Sequence, residues 1–87
     1  MRILVVEDDS DLRRQLTDAL SQSGYAVDAA ADGEEGHFLG DTEPYDAVIL
    51  DLGLPRMDGV SVLERWREDG KVFPVLILTA RDRWSEK

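Results

Sequence analysis

Cysteine is absent from this 87-residue chain, and basic residues are scarce. Without a thiol there can be no disulfide, cysteine nucleophile or thiolate metal site, which suits a reducing compartment. Only 10 lysines and arginines stand against 19 acidic residues, for a formal net charge of -9. Because clusters of Lys and Arg bind a nucleic-acid backbone, we expect no direct nucleic-acid binding by these residues. An excess of acidic residues instead favours the binding of cations or of a basic partner.

Long apolar runs are absent as well. No stretch approaches the roughly 20 apolar residues that cross a bilayer, and no basic-then-apolar leader precedes the first strand-like residues. We therefore expect no membrane association and a cytoplasmic location. The apolar content of 43% and the charged content of 33% are typical of one folded globular domain.

The chain does contain three short apolar runs that are rich in Val, Ile and Leu. Such runs are typical of parallel strands that helices cover on both faces. Open α/β sheets bind their ligands beyond the carboxyl ends of such strands, so the residues that follow each run are candidates for a site. The runs are residues 3–6, 47–50 and 75–78, and they are followed by Glu7, Asp8 and Asp9, by Asp51, and by Thr79.

Helix signals alternate with these runs. The first helix is expected to begin after Ser10 as its N-cap and to end at Gly24. A second helix opens after Asp32, although Gly36 and Gly40 weaken it, since each costs up to ~1 kcal/mol relative to Ala.

The whole order of predicted elements is βαβαβαβ, which predicts a doubly wound α/β domain with a parallel sheet between two helical layers. In the third helix Val62, Leu63 and Trp66 should face the core. The remaining elements are a weak strand over residues 25–30, a strand over residues 46–50, a loop over residues 51–58, a helix that starts at Asp58-Gly59 and ends at Asp69-Gly70, and a strand over residues 75–78 introduced by Pro74.

Glu7, Asp8 and Asp51 converge at one end of the sheet if the first and third strands are neighbours. Three carboxylates a few ångströms apart repel one another unless one is protonated or a cation neutralises them. Oxygen ligands without His or Cys suit Mg²⁺, which would also prepare the site for a phosphoryl group. We expect Asp51 to be the nucleophile, and Glu7 and Asp8 to hold the metal.

Each of these residues could also have an ordinary structural role instead of a role in a site. An acid after a strand is often the N-cap of the next helix, which accounts well for Asp9, Asp32 and Asp58. The Thr79 hydroxyl could donate to a phosphoryl oxygen, or Thr79 could be a plain strand residue. Structural roles are expected for His37 on the weak second helix, for Trp66 in the core, and for Arg13 and Arg14 on a solvated helix face that could also serve as a docking surface.

Three segments of the chain form a set when they are taken in order. They are Val5-Val6-Glu7-Asp8-Asp9, Asp51-Leu52-Gly53-Leu54-Pro55-Arg56-Met57-Asp58-Gly59 and Leu78-Thr79-Ala80-Arg81. Together they resemble the receiver domain of bacterial two-component response regulators, above all those with a winged-helix DNA-binding output. The resemblance implies the flavodoxin-like three-layer receiver fold with strand order 2-1-3-4-5.

For the site, the resemblance implies that Asp51 accepts a phosphoryl group from a sensor histidine kinase. It implies that Thr79 signals the phosphorylated state, and that the domain controls transcription through an output domain. Such a regulatory domain at most catalyses its own phosphorylation and dephosphorylation. The resemblance also implies a Mg²⁺ site made by Glu7, Asp8, Asp51 and the Gly53 carbonyl.

The resemblance implies five strand–helix units, whereas residues 1–87 reach only the start of the fourth helix. The expectation is a receiver domain truncated after strand 4, without helix 4, strand 5, helix 5 or an output domain. An open apolar edge strand is a template for pairing with another chain. If the polypeptide is this short, a homodimer that associates through residues 75–78 is therefore expected. If further residues supply the missing elements, those elements could be exchanged between protomers in a domain-swapped oligomer.

Three other classes are weighed against this one. A phosphohydrolase of the haloacid-dehalogenase type also uses Asp with Mg²⁺, but it carries a second acid where this chain has Gly53. A flavin- or nucleotide-binding module would want a glycine-rich loop after the first strand, where Glu7, Asp8 and Asp9 would repel phosphate. A degenerate receiver, used only for protein contact, would keep the fold without the phosphorylation response.

Overall fold

The computed structural model describes residues 1–54 and 56–78. Strands and helices alternate along them, which confirms the predicted βαβαβαβ order. None of the helices in this described part is long and apolar enough to cross a membrane. The elements are β1 (Arg2–Val6), α1 (Ser10–Gln22), β2 (Ala26–Ala30), α2 (Gly33–Thr42), β3 (Ala47–Asp51), α3 (Gly59–Glu68) and β4 (Val75–Leu78).

The strands form one parallel sheet in the order β2-β1-β3-β4. Val6 of β1 lies opposite Leu50 of β3, and Asp51 lies opposite Leu78 of β4. The chain moves outwards from β1 to β2 and then returns past β1 to β3 and β4. Because crossovers between parallel strands are right-handed, α1 lies on one face of the sheet and α2 and α3 lie on the other. This arrangement confirms the doubly wound fold and matches the flavodoxin-like order over its first strands.

The core lies between the sheet and the layer formed by α2 and α3. Its strand side chains come from alternate positions, which point to one face, and Val62 and Trp66 of α3 are completely buried against them. Phe73 packs edge-on against Trp66, with ring centroids 5.0 Å apart. The predicted core role of Trp66 is confirmed. The buried strand residues of this cluster are Leu4, Val6, Ala30, Val48 and Leu50.

Close packing explains the two glycines that weaken α2. Gly36 and Gly40 are buried. A Cβ at Gly36 would lie 2.7 Å from Cγ1 of Val6, and a Cβ at Gly40 would overlap the Trp66 indole. Helix α2 forms despite its low propensity, because most of a helix's stability in a protein comes from tertiary packing.

The start of α1 differs from the prediction by one residue. Ser10 is the first helical residue rather than the N-cap. Asp9 is the N-cap, which confirms the capping interpretation of that acid, and its Oδ1 accepts from the backbone N–H of Asp11 at 3.0 Å and of Leu12 at 3.2 Å. A carboxylate caps as well as a hydroxyl and also meets the positive end of the helix dipole. Gly24 follows the helix end as predicted, with a φ of 96°.

The other boundaries agree closely with the prediction. Asp32 and Asp58 are the N-caps of α2 and α3, as expected. The strands β2 and β3 each begin one residue later than predicted. Asp51, which we predicted to open the following loop, is instead the last residue of β3, because it still pairs with Leu78 of β4.

Candidate functional site

The acids that the sequence singles out meet at the carboxyl end of the sheet. Glu7 directly follows β1, and Asp51 ends the neighbouring strand β3. With Asp8 they form a cluster in which one carboxylate oxygen from each residue lies within 4.8 Å of the others. Thr79, also predicted to belong here, lies outside the residues that the structure describes.

The three acids differ in exposure. Glu7 and Asp51 are completely buried, whereas Asp8 is exposed. The Glu7 N–H donates to the Ala30 carbonyl at 3.0 Å and so extends the β1–β2 ladder by one residue. The Glu7 carboxylate accepts from the Asp9 N–H at 3.0 Å. Glu7 is therefore fixed by the sheet and the turn, while Asp8 meets solvent.

The loop after β3 returns to the strand end and contacts Asp51. The Gly53 N–H donates to Asp51 Oδ1 at 3.3 Å, and Gly53 itself is exposed. The Gly59 N–H donates to the Leu52 carbonyl at 3.0 Å. A Cβ at Gly59 would lie 2.6 Å from the Leu52 Cα, so this close approach needs glycine. Gly53 consequently lies at the solvent rim of the acid cluster.

Among the residues that the structure describes, three carboxylates lie close together in the site. Two like charges about 5 Å apart repel by about 3 kcal/mol at an effective dielectric constant of ~20, and a cation placed among them would offset that repulsion. The cluster offers carboxylate oxygens only, from Glu7, Asp8 and Asp51. Such donors fit Mg²⁺, which prefers hard oxygen ligands and keeps several waters. The exposure of Asp8 leaves access for those waters.

The structure adds Arg13 to this region, although its position in the sequence predicted a solvated helix face. Its Nη1 donates to the Glu7 carbonyl at 2.9 Å and more weakly to the Asp8 carbonyl at 3.5 Å. Helical side chains point back toward the N-terminus, so an arginine at the end of the first turn can reach the preceding loop. That position was the available signal in the sequence. Its neighbour Arg14 is exposed.

His37, for which no catalytic role was expected, lies on α2 and contacts α3. Its carbonyl accepts from Trp66 Nε1 at 3.3 Å, and its Nε2 lies 3.8 Å from Asp69 Oδ2. It does not belong to the acid cluster that the described residues form. The structure therefore places His37 at the interface between two helices.

Fold and site together define a class of protein, namely a doubly wound α/β domain with an acid cluster at the carboxyl ends of its central strands. Residues 3–87 match the response regulator receiver domain family. The chain belongs to this family, which confirms the resemblance found in its sequence motifs.

Known proteins match this chain over all or nearly all of its length. The transcriptional regulatory protein QseB of Haemophilus influenzae is 48% identical over 87 residues, and the chain spans 39% of that relative's length. The receiver domain of the Francisella response regulator 1452 is 32% identical, with a TM-score of 0.88 over 99% of this chain and 71% of that one. The response regulator TrrA of Thermotoga maritima, solved in complex with Mg(2+)-BeF, is 35% identical, with a TM-score of 0.86 over 99% of this chain and 75% of that one.

Proposed function

We propose that Asp51 is the phosphoacceptor of this receiver domain and that a sensor histidine kinase is the donor. The observation that carries the proposal is the position of the Asp51 carboxylate, at the end of β3 and within 4.8 Å of those of Glu7 and Asp8. A nucleophile at a strand end, with two further acids able to hold a cation, is the arrangement that phosphoryl transfer to a carboxylate requires. Membership of the receiver family supports the same assignment.

The proposed reaction is a single displacement at phosphorus. A carboxylate oxygen of Asp51 attacks the phosphorus of a phosphohistidine on the kinase. The new O–P bond forms as the P–N bond breaks, and the electron pair of the broken bond goes to the imidazole, which takes up a proton. Little covalent chemistry is left for other residues, so their work is positioning and charge compensation.

The proposed Mg²⁺ site consists of Glu7, Asp8, Asp51 and the carbonyl oxygen of Gly53. Bound there, the cation would offset the negative charge of the acids and of the incoming phosphoryl oxygens. The exposed carboxylate of Asp8 and the rim position of Gly53 support this ligand set. The complex of the similar TrrA with Mg(2+)-BeF supports the choice of metal.

The role of the domain in a longer protein extends the proposal. Thr79 would report the phosphorylated state, and the domain would control transcription from the cytoplasm. The similar protein QseB is a transcriptional regulatory protein, which supports a role in the control of transcription. Because the chain spans 39% of QseB, transcriptional control would act through parts of the protein outside these residues. The domain itself would at most catalyse its own phosphorylation and dephosphorylation.

Association with a second copy through β4 stays a prediction. Leu76 in β4 is 63% exposed, and among the described residues β4 pairs with β3 alone. Sedimentation of the 87-residue polypeptide over a range of concentrations tests it. A mass that rises with concentration supports association, and a constant monomeric mass contradicts it.

The phosphoacceptor assignment is tested by incubating the protein with a small phosphodonor and Mg²⁺ and measuring its intact mass. The wild type should gain one phosphoryl group, and Asp51→Asn should gain none. The matched control is Asp58→Asn, an acid in the same loop whose N-cap role asparagine fills equally well. Labelling that survives Asp51→Asn, or that Asp58→Asn abolishes, would count against Asp51.

A further inference from the structure

The acid loop between β1 and α1 has an anchor in the helix that follows it. Arg13 Nη1 donates to the Glu7 carbonyl at 2.9 Å, and the Asp8 carbonyl lies 3.5 Å from the same nitrogen. Arg13 is half-buried, whereas its neighbour Arg14 is exposed. The two carbonyls belong to the residues whose carboxylates form half of the proposed cation site.

The anchor matters most for Asp8. Glu7 is completely buried, and its N–H and its carboxylate are both hydrogen-bonded, to the Ala30 carbonyl and the Asp9 N–H. Asp8 is exposed and has no such packing. The bond from Arg13 holds the peptide unit that joins Glu7 to Asp8, and this peptide sets the direction in which the Asp8 side chain leaves the backbone.

We propose that Arg13 is a positioning residue for the cation site, fixing the Glu7–Asp8 backbone so that the Asp8 carboxylate stays beside Asp51. This inference rests on the proposed Mg²⁺ binding. Residues that orient the ligands of a metal are commonly worth about 10–100-fold in its affinity. Arg13 acts here through the backbone of the ligands and contacts neither cation nor phosphoryl group.

The charge of Arg13 and its positioning role predict changes of opposite sign in the affinity for Mg²⁺ when Arg13 is replaced. A guanidinium near a cation site repels the cation, so removing its charge alone should strengthen Mg²⁺ binding. Removing an anchor should weaken binding, because the unbound loop then samples conformations in which Asp8 points away. A weaker affinity after loss of Arg13 would therefore exclude the purely electrostatic role.

The experiment is a Mg²⁺ titration of the whole 87-residue chain, followed by amide chemical shifts in NMR spectra. Arg13→Met should raise the Kd by about 10-fold and shift the amides of Glu7, Asp8 and Asp9 before any metal is added. The matched control is Arg14→Met, which removes the same charge from an exposed site and should leave the Kd equal or lower. Arg13→Lys, which keeps a donor for the Glu7 carbonyl, should recover most of the affinity.

The outcomes separate this inference from the proposed function. A wild type that binds no Mg²⁺ would overturn the proposed site and this inference together. A wild type that binds, with an Arg13→Met Kd equal to or below its own, would overturn the positioning role alone. A lysine variant as weak as the methionine variant would do the same. If Arg13→Met fails to fold without Mg²⁺, the Kd of Arg13→Gln for Mg²⁺ is measured instead, and the same outcomes apply to it.

Discussion

At the scale of single residues, a hydrogen-bonded group joins β1, β2 and the segment before β3. The Tyr45 hydroxyl donates to Asp28 Oδ2 at 2.8 Å, and Arg2 Nη2 pairs with the same oxygen at 2.9 Å. The Arg2 guanidinium also lies over the Tyr45 ring, 5.2 Å from its centroid. One carboxylate therefore accepts from two donors that come from different parts of the chain.

This group sets a pH dependence with a definite sign. The Tyr45 hydrogen bond holds the pKa of Asp28 below its ordinary value of 3.8, with partial burial opposing it and Arg2 adding to it. Burial and the hydrogen bond to Asp28 raise the pKa of Tyr45. A carboxylate whose pKa is lower in the folded state stabilises the fold above its unfolded pKa. That contribution is present at neutral pH and is lost as the pH falls below 3.8 through the folded value.

Tyr45→Phe should raise the pKa of Asp28 and lower the free energy of unfolding by about 1 kcal/mol at neutral pH. The expected loss is smaller than is usual for a hydrogen bond to a charged acceptor, because the Asp28 side chain is 40% exposed. The loss should shrink at acidic pH, where Asp28 is protonated in both proteins. NMR titration of the Asp28 carboxyl and urea unfolding at both pH values measure these effects.

Tyr25→Phe is the control for the loss of a hydroxyl. Tyr25 is 37% exposed, and its hydroxyl makes no hydrogen bond to the residues that the structure describes. Its removal should leave the free energy of unfolding and the pKa of Asp28 unchanged. Equal losses in the two variants, or an unmoved Asp28 pKa in Tyr45→Phe, would contradict the interpretation.

At the scale of elements, helix α2 shows two effects of opposite sign at one position. Alanine in place of Gly40 would favour the helix by up to ~1 kcal/mol through its propensity. The added Cβ would overlap the Trp66 indole, which is completely buried in the core. Overpacking of this kind typically costs ~1–3 kcal/mol, so packing should prevail over propensity.

Gly40→Ala should therefore lower the free energy of unfolding by up to about 2 kcal/mol, the difference between these two effects. Urea unfolding, with Trp66 as a fluorescent core residue, measures the change. The control is Asp41→Ala on the exposed side of the same helix, where propensity acts without a clash and the fold should gain slightly. A Gly40→Ala protein as stable as the wild type would show that α2 can move away from α3 at little cost.

At the scale of the whole molecule, the acid cluster links metal binding to folding. Glu7 follows β1 and Asp51 ends β3, so their carboxylates meet only when the sheet has formed. A cation that binds this cluster binds the folded state alone and must stabilise it. At ten times the Kd the gain is about 1.4 kcal/mol, which for a domain of this size raises Tm by roughly 6–11 °C.

Thermal melting with increasing millimolar Mg²⁺ should show this rise in the wild type, and Asp8→Ala should flatten it because the exposed ligand is lost. Asp11→Ala is the matched control, since Asp11 is an exposed acid in the first turn of α1 outside the cluster. Its melting temperature should keep the full Mg²⁺ dependence. An unchanged wild-type Tm, or an equal loss of dependence in both variants, would contradict a cation site at these acids.

Local structure was determined by the sequence itself. The apolar runs, the capping acids Asp32 and Asp58, and the glycine after α1 act over a few neighbouring residues, so periodicity and turn chemistry were enough to place all the described strands and helices. The same local signals placed acids at the ends of β1 and β3. The start of α1 and the end of β3 each differ from the prediction by one residue. Such boundaries depend on which of two neighbouring residues makes the capping hydrogen bond or the last strand pair.

Which strand ends are neighbours was decided by the tertiary structure and not by local sequence patterns. Asp51 reaches Glu7 because β3 returns beside β1, a pairing between segments far apart in the sequence that the resemblance implied and local patterns could not show. The bond from Arg13 to the Glu7 carbonyl and the fit of Gly40 against Trp66 were missed for the same reason. Periodicity tells which face of an element is buried, but contacts between elements depend on side-chain directions and close packing, which exist only once the elements are assembled.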